Sequence, residues 1–286
     1  MKHAYLILAH TDFELLKILI TSLDDERNDI YVHIDRKVKT LPDLSVKHAC
    51  LTVLKDRIDV RWGDVTVVEA EYALFGAAVA NGPYAYYHLL SGMDLPLKSQ
   101  DYIHRFCSEN AGKEFIGYTL TSLTPEVVRK VQRWHLFPED FKNKSFFKHL
   151  VRAAFLRLQE ILHIKRNKEV DFKKGSQWVS ITDGMARYFL SHKDWALKTF
   201  RNTFCSDEIV MQTLCWQSPF KDNIYNTTDD AAGCMRAIGW RDGQLHDWAA
   251  ADLDHLKASP ALFARKFNLK DKAFLFHIKS LSDSRP

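Results

Sequence analysis

The sequence lacks the patterns that mark several common classes of protein. Its 286 residues include five cysteines, an odd number, and no two of them form a C-x-x-C pair. A disulfide framework or a cysteine zinc site is therefore not expected, and the thiols are predicted to be reduced. The 13 histidines form no H-x-x-x-H or H-E-x-x-H pair, which argues against a helical zinc site.

Long apolar runs and glycine-rich phosphate loops are missing as well. The segment MKHAYLILAH turns polar too early for a signal peptide, and no apolar run reaches the length of a transmembrane helix. We therefore expect a cytoplasmic protein. Neither a G-x-G-x-x-G fingerprint nor a P-loop occurs, which argues against a Rossmann dinucleotide site or a nucleoside triphosphatase.

The charge excess is small and positive. A net charge of +4 and a pI near 8.7 suit an anionic ligand or a membrane surface. The excess is too weak to indicate nucleic-acid binding, so no nucleic-acid partner is expected. The composition, 46% hydrophobic and 27% charged, is ordinary for a globular protein that buries a sizeable core.

Strand-like and helix-like segments alternate along most of the chain. Apolar runs predict strands over 4–9, 29–35, 51–60, 84–90, 114–120 and 176–182, and helical spacing predicts helices over 11–23, 65–81 and 100–110, from Asp183, and from Ser206. This alternation predicts an α/β fold with a mostly parallel central sheet flanked by helices. The whole chain, 1–286, is predicted to form one domain. Within it, residues 123–170 are predicted to form a basic helical segment, here called the excursion.

The residues after the predicted strands are the first candidates for a site, because ligands of parallel sheets bind at the carboxyl ends of the strands. His10 follows the first strand and Asp35 follows the second. The turn SGMDLPL after the fourth presents Asp94. Glu114 opens the fifth strand. A capping or turn role would explain Asp35 equally well.

Two carboxylates lie side by side in CSDEIVMQTL, at the start of a predicted helix with Ser206 as its N-cap. One interpretation is that Asp207 and Glu208 offset the helix dipole. The other is that one of them does chemistry. A capping box would need Glu or Gln where Ile209 stands, so Glu208 is free to act elsewhere.

A metal is not expected from the acidic residues. The only D-x-D, Asp252 to Asp254, falls in a predicted helix with Asp254 facing solvent, whereas a cation needs converging carboxylates. A phosphorylated leaving group would then depend on cationic side chains. Arg236 and the pair Arg265–Lys266 are the candidates, since each is embedded in an apolar string; a surface role for one of them stays open.

Eight segments occur in the order typical of one family: YLILAHTDFELLKILI, YVHIDRK, VRWGDVTVVEAEYAL, YYHLLSGMDLPLKS, GSQWVSIT, DEIVMQTLCWQSPF, MRAIGW and ALFARKF. They run from about residue 5 to 267, nearly the whole chain. On these segments the chain resembles the core-2/I-branching β-1,6-N-acetylglucosaminyltransferase family, which includes peptide O-xylosyltransferases, and it resembles a bacterial-type member. The resemblance implies a GT-A-like fold.

The resemblance also implies an activity. The family transfers a sugar from a UDP-sugar to a hydroxyl with inversion and without a metal, so we expect no cofactor. The expected partners are a UDP-sugar, carrying GlcNAc or xylose, and a glycan or lipid-linked glycan acceptor. The family's catalytic base matches Glu208, and the basic pair that holds the diphosphate matches Arg236 and Lys266.

Further residues are expected around the two substrates. Asp35 matches the family's aspartate near the uracil, and His10 is expected on the same side. Glu114 matches a glutamate that contacts the acceptor sugar, and Asp94 and Trp178 are also expected to bind substrate. Two rival classes stay open: a non-catalytic sugar- or nucleotide-binding relative, and a glycosidase with two carboxylates.

The basic excursion contains a predicted amphipathic helix over 146–168. Its apolar positions at helical spacing are Phe147, Val151, Phe155, Leu158 and Leu162. The favoured interpretation is a helix packed on the core with solvated cations. The alternative is a peripheral contact with an anionic inner membrane, because basic helices with aromatic residues lie in the headgroup region.

Overall fold

A computed structural model describes residues 1–119, 122, 124–142 and 145–283. The strands are β1 His3–Ala9, β2 Asn28–Ile34, β3 Cys50–Val53, β4 Tyr86–Ser91, β5 Leu95–Pro96, β6 Ser180–Thr182, β7 Arg236–Ile238, β8 Trp240–Arg241, β9 Gln244–Leu245 and β10 Phe263–Arg265. The α-helices are α1 Phe13–Ser22, α2 Thr66–Asn81, α3 Gln100–Glu109, α4 Pro125–Val131, α5 Phe146–Ile161, α6 Asp183–Ser191, α7 Lys193–Phe200, α8 Val210–Trp216, α9 Asp230–Cys234, α10 Leu253–Ala258 and α11 Lys272–Asp283.

The central sheet has the order β3-β2-β1-β4-β6. Its first four strands are parallel, and β6 runs antiparallel to β4. Alternate residues of β1 enter two separate cores, with Leu6 in the core that includes α2 and Ile7 in the core that includes α1. Burial on two faces explains why β1 is a continuous apolar run. The predicted α/β class is confirmed.

A second, smaller sheet joins distant parts of the chain. Its order is β5-β10-β7, with β10 antiparallel to β5 and parallel to β7. Phe263 lies opposite Pro96 on one side and opposite Arg236 on the other. The turn after β4 is thereby tied to the segment that contains Arg265 and Lys266.

Three predicted strands are shorter than expected. β3 covers only Cys50–Val53 of the predicted 51–60, and β6 covers only Ser180–Thr182 of the predicted 176–182. In the run 114–120, Glu114 and Phe115 form isolated bridges, while residue 120 lies outside the described residues. The run does not continue as a strand because the Thr119 amide turns to the Lys174 carbonyl at 2.9 Å.

The excursion is helical, as predicted, although residues 123, 143 and 144 lie outside the described ones. The expected core packing of its second helix is wrong. Gln159 is the one buried residue of α5. Of the five predicted core positions, Phe147, Leu158 and Leu162 are 71%, 51% and 57% exposed, and Val151 and Phe155 are half-buried. The reason is that hydrogen bonds from polar side chains, described below, hold the other side of this helix to the protein. Among the described residues, no helix is both long and apolar enough to cross a membrane.

Candidate active site

The carboxyl ends of three parallel strands meet at one edge of the central sheet, here called the carboxyl edge. Ala9 lies opposite Ile34 in the β1–β2 pair, and Leu8 lies opposite Ser91 in the β1–β4 pair. The Asp35 amide donates to the Ala9 carbonyl over 2.9 Å. The residues that follow β1, β2 and β4 therefore come together, where parallel sheets bind ligands.

The direction of β6 adds a fourth segment to this edge. Because β6 is antiparallel, its beginning lies beside the end of β4, and the Leu89 amide donates to the Val179 carbonyl over 2.9 Å. Residues 175–178, just before β6, consequently reach the carboxyl edge. This is how Trp178 comes to lie near the turn that contains Asp94.

Glu208 is mounted on a short turn and not on the predicted helix. A 3-10 turn covers Ser206–Glu208, and α8 begins only at Val210. Cys205 has a φ of 53°, which turns the chain just before Ser206. The prediction of Ser206 as N-cap is wrong, because its buried hydroxyl has no partner among the described atoms.

Backbone bonds anchor the turn to two neighbouring segments. The Cys205 amide donates to the Gly63 carbonyl over 2.9 Å, and the Gly175 amide donates to the Glu208 carbonyl over 2.9 Å. One bond joins the turn to the loop before α2, and the other joins it to the segment at the carboxyl edge. The backbone under Glu208 is therefore held from two sides while its side chain is left one-third exposed, at 36%.

Two lysines flank the Glu208 carboxylate. Its Oε2 lies 3.4 Å from Lys130 Nζ and 3.8 Å from Lys174 Nζ. Glu126 contacts the same ammonium groups at 3.0 and 2.9 Å. Burial lowers the pKa of Lys130, but the charges of Glu208 and Glu126 outweigh it and the net shift is upward. Glu208 is thus an accessible carboxylate with fixed positive neighbours.

Asp207 has a different environment from its neighbour. Its Oδ1 is buried without a partner among the described atoms. Burial, and then the Glu208 charge, raise the pKa of Asp207 to about 7. The interpretation that Asp207 compensates a helix dipole is wrong, since no α-helix begins there. Of the two carboxylates, only Glu208 is placed to meet a ligand.

Asp94, Trp178 and Arg265 form one cluster at the carboxyl edge. Asp94 is fully buried and accepts from the Ser91 amide at 3.0 Å and from Arg265 Nε at 3.2 Å. The Arg265 guanidinium lies 4.2 Å from the centre of the Trp178 ring, which is also buried. The sequence predicted that Asp94 is displayed by its turn, but the carboxylate is turned inward. Asp94 and Trp178 position Arg265.

Arg236 lies inside the molecule, at 1% exposure. Its guanidinium donates to the carbonyls of Cys234 and Val179 and to the Ser180 hydroxyl, at 2.7, 3.0 and 2.9 Å. It also lies over the Phe263 ring at 4.5 Å, and burial lowers its pKa. The structure thus gives Arg236 a role in joining β6 to β7, instead of the predicted place at a diphosphate.

Lys266 remains accessible. Its side chain is 33% exposed, and its ammonium lies 3.4 Å from Asp247 Oδ1. The Trp248 amide donates to the Lys266 carbonyl over 2.9 Å, which fixes the backbone. A partly exposed ion pair of this kind contributes about 0–1 kcal/mol. The ammonium can therefore exchange Asp247 for an anionic ligand at little cost.

Asp35 and His10 lie beside each other at the ends of β2 and β1. The buried Asp35 carboxylate accepts from the Lys37 amide and the Lys37 ammonium, each at 2.8 Å. Desolvation is the main cause that lowers the pKa of His10. The charge of Asp35 raises this pKa, and the charges of Lys142 and Lys37 lower it further. The structure thus brings these two residues together, and their contact with a nucleotide stays a prediction.

Glu114 is fully buried and bonds Thr182, the N-cap of α6. Its carboxylate accepts from the Thr182 amide at 2.9 Å and from the Thr182 hydroxyl at 2.5 Å, directly before α6. Burial raises the pKa of Glu114 to about 7. Glu114 is therefore not placed to contact an acceptor sugar as predicted, because Thr182 bonds both of its carboxylate oxygens.

The raised pKa of Glu114 predicts a pH-dependent stability. The carboxyl favours folding while it is protonated, below its ordinary pKa of 4.5, and this contribution is lost as the pH rises through about 7. In Glu114→Gln the amide oxygen can still accept from the Thr182 amide and the amide nitrogen can donate to the Thr182 hydroxyl, with no proton to lose. We expect the free energy of unfolding of the wild type to fall between pH 5 and pH 8 by about 3 kcal/mol more than that of the variant.

Urea unfolding at the two pH values measures this difference. The exposed Glu109→Gln on α3 is the control and should leave the pH dependence unchanged. Burial raises the pKa of Asp207 and of Glu71 as well, so part of the dependence should persist in Glu114→Gln. Equal losses in wild type and Glu114→Gln would contradict the assignment.

Two other groups contain residue types that bind metals. Asp254 is exposed on α10, as predicted, and Asp252 bonds Arg241 and the Ala249 amide. His3, His88 and Cys107 lie within 4.8 Å of one another in the buried core. The facing nitrogens of His3 and His88 share a hydrogen bond of 3.0 Å, so this group is satisfied as a core network.

Sequence reasoning missed the two lysines beside Glu208. Lys130 lies in the excursion and Lys174 directly precedes the segment GSQW. Neither lysine lies in a recognisable motif, and Lys130 is 78 residues away from Glu208 in the sequence. The one usable signal was the position of Lys174, immediately before a segment that reaches the carboxyl edge.

Comparison with known proteins gives one positive finding. Residues 3–271 match the model of a family described as "Branch: Core-2/I-Branching enzyme". No curated protein matches the chain.

Proposed function

The chain belongs to the Core-2/I-Branching enzyme family and is a glycosyltransferase, and from this premise we propose an inverting, metal-independent transfer from a UDP-sugar. The donor sugar we propose is GlcNAc or xylose, and the acceptor is a hydroxyl of a glycan or lipid-linked glycan. We propose that the protein acts in the cytoplasm.

One observation carries the proposal: Glu208 presents a carboxylate at the carboxyl edge on a backbone that is anchored from two sides. A general base must be accessible and rigidly mounted to take a proton from a hydroxyl. Asp207, which is buried beside it, does not meet these needs. The partly exposed Glu208 does.

The reaction follows from one base and one leaving group. Glu208 takes the proton of the acceptor hydroxyl while the oxygen of that hydroxyl attacks the anomeric carbon of the donor sugar. The bond from that carbon to the diphosphate breaks on the opposite face, so the configuration inverts. The leaving UDP gains negative charge, which fixed cations stabilise without reorganisation during the reaction.

Lys266 is the proposed cation at the diphosphate, together with Arg265. Arg265 is held by Asp94 and Trp178. Its positive charge acts to lower the pKa of Asp207, which lies next to the base. This revises the pair inferred from the sequence, because the Arg236 guanidinium is buried and its two terminal nitrogens donate to the Cys234 and Val179 carbonyls. Asp35 and His10 are proposed to contact the nucleotide.

Transfer is tested by supplying a panel of UDP-sugars with and without simple glycan acceptors. Release of UDP that depends on the acceptor, with a glycosylated product seen by mass spectrometry, is the expected result. Hydrolysis of glycans without any UDP-sugar would identify a glycosidase instead. Binding of UDP with no product for any donor would favour a non-catalytic relative.

We expect transfer to persist in excess EDTA at an unchanged rate. The physical reason is that Lys266 and Arg265 supply the positive charge that a divalent cation would otherwise bring to the diphosphate. The measurement compares initial rates with EDTA, without it, and after adding Mn²⁺. A rate that is lost in EDTA and restored by Mn²⁺ would contradict metal independence.

A further inference from the structure

The helix α5 exposes one apolar side, while its Val151, Phe155 and Leu156 are half-buried. Phe146, Phe147, Leu150, Leu158, Ile161 and Leu162 are between 51% and 81% exposed, and together they are called the α5 face. At about 100° of rotation per residue, all six fall within one half of the circumference of a helix about 24 Å long, and Leu162 directly follows its last residue. No residue of α5 belongs to either core among the described residues. An exposed apolar stripe of this size is typical of an interaction site.

Polar bonds hold the opposite side of α5 to the protein. Gln159 accepts from the Trp134 amide and donates to the Trp134 carbonyl, each at 2.9 Å. Arg152 donates to the Leu136 and Phe137 carbonyls at 3.2 and 2.9 Å. The helix is therefore fixed with its polar side inward, and the outward direction of the apolar side follows from these bonds.

A small excess of positive charge lies at the C-terminal end of the α5 face. Arg157 lies within the face with a side chain 74% exposed and pairs with Glu160 at 3.2 Å, and Lys165 and Lys168 are exposed just beyond the helix. Between residues 145 and 168, Glu160 is the only acidic residue. An apolar stripe bordered by cations matches an anionic bilayer, with the apolar side chains below the headgroups and the cations among them.

We propose that the α5 face docks on an anionic phospholipid surface. A second copy of the chain is a poorer occupant, because facing copies would bring the same cations together. The proposal stands on the helix alone and does not depend on the proposed chemistry.

Co-sedimentation of the full chain with vesicles tests the docking. We expect the bound fraction on phosphatidylcholine vesicles with phosphatidylglycerol to exceed that on pure phosphatidylcholine vesicles by about tenfold at low salt, and to fall at high salt. The double variant Leu150→Ser with Leu158→Ser should lower the partition coefficient about tenfold or more. Because these side chains are exposed, its melting temperature should stay unchanged.

Phe276→Ser is the matched control, since Phe276 is 65% exposed on α11, outside the α5 face. It should bind vesicles like the wild type. Equal losses in the control and the double variant would overturn the proposal, and so would the absence of binding to anionic vesicles at low salt. A dimer in sedimentation velocity that the double variant abolishes, without vesicle binding, would assign the α5 face to a second copy instead.

Discussion

Glu208→Gln is expected to lower the rate of sugar transfer about 10²- to 10⁴-fold, the usual cost of losing a general base. The amide has the size of the carboxylate but cannot accept the proton of the acceptor hydroxyl. Because the base acts on the acceptor, the affinity for UDP should stay nearly unchanged. Single-turnover rates with saturating donor, together with UDP binding by calorimetry, measure the two effects separately.

Glu126→Gln is the control that separates catalysis from simple charge balance. Glu126 contacts Lys130 and Lys174, the same lysines that flank Glu208. If Glu208 only neutralised these lysines, the two variants would lose similar activity. We expect Glu126→Gln to keep most of the rate. A Glu208→Gln protein that retained more than about a tenth of the wild-type rate would exclude Glu208 as the base.

Lys266→Ala is expected to raise the dissociation constant of UDP about 10- to 100-fold. A hydrogen bond to a charged group contributes about 1.5–3 kcal/mol, and about 1.4 kcal/mol corresponds to a tenfold change in affinity. The transfer rate should fall as well, because the same ammonium would stabilise the charge that develops on the leaving UDP. Calorimetric titration with UDP and initial rates at saturating donor give the two values.

Lys257→Ala provides the comparison for Lys266. Lys257 is an exposed cation on the neighbouring α10, and removing it lowers the net charge equally. An effect of Lys266→Ala on UDP affinity no larger than that of Lys257→Ala would refute the diphosphate role. Stability should change little in either variant, since the Lys266–Asp247 pair is partly exposed.

The sequence alone determined the class of the fold. Strands buried on two faces are mostly apolar, so β1 and β4 were visible as apolar runs apart from His3 and His88, and helical sequence patterns located α2 and α3. The order of eight segments identified the family that the match over residues 3–271 confirms, and with it the GT-A-like fold. These features depend on local pattern, which a single chain displays directly.

Which polar residues can face a ligand follows from contacts between distant parts of the chain. Arg236, Asp94 and Glu114 stand at positions that the sequence favoured for binding, yet each is buried and bonded inside the protein. The direction of α5 was likewise invisible, because an apolar stripe has the same spacing whether it faces the core or the solvent. Burial depends on contacts between residues that are far apart in the chain, such as Arg265 with Asp94 across 171 positions, and such contacts leave no local pattern.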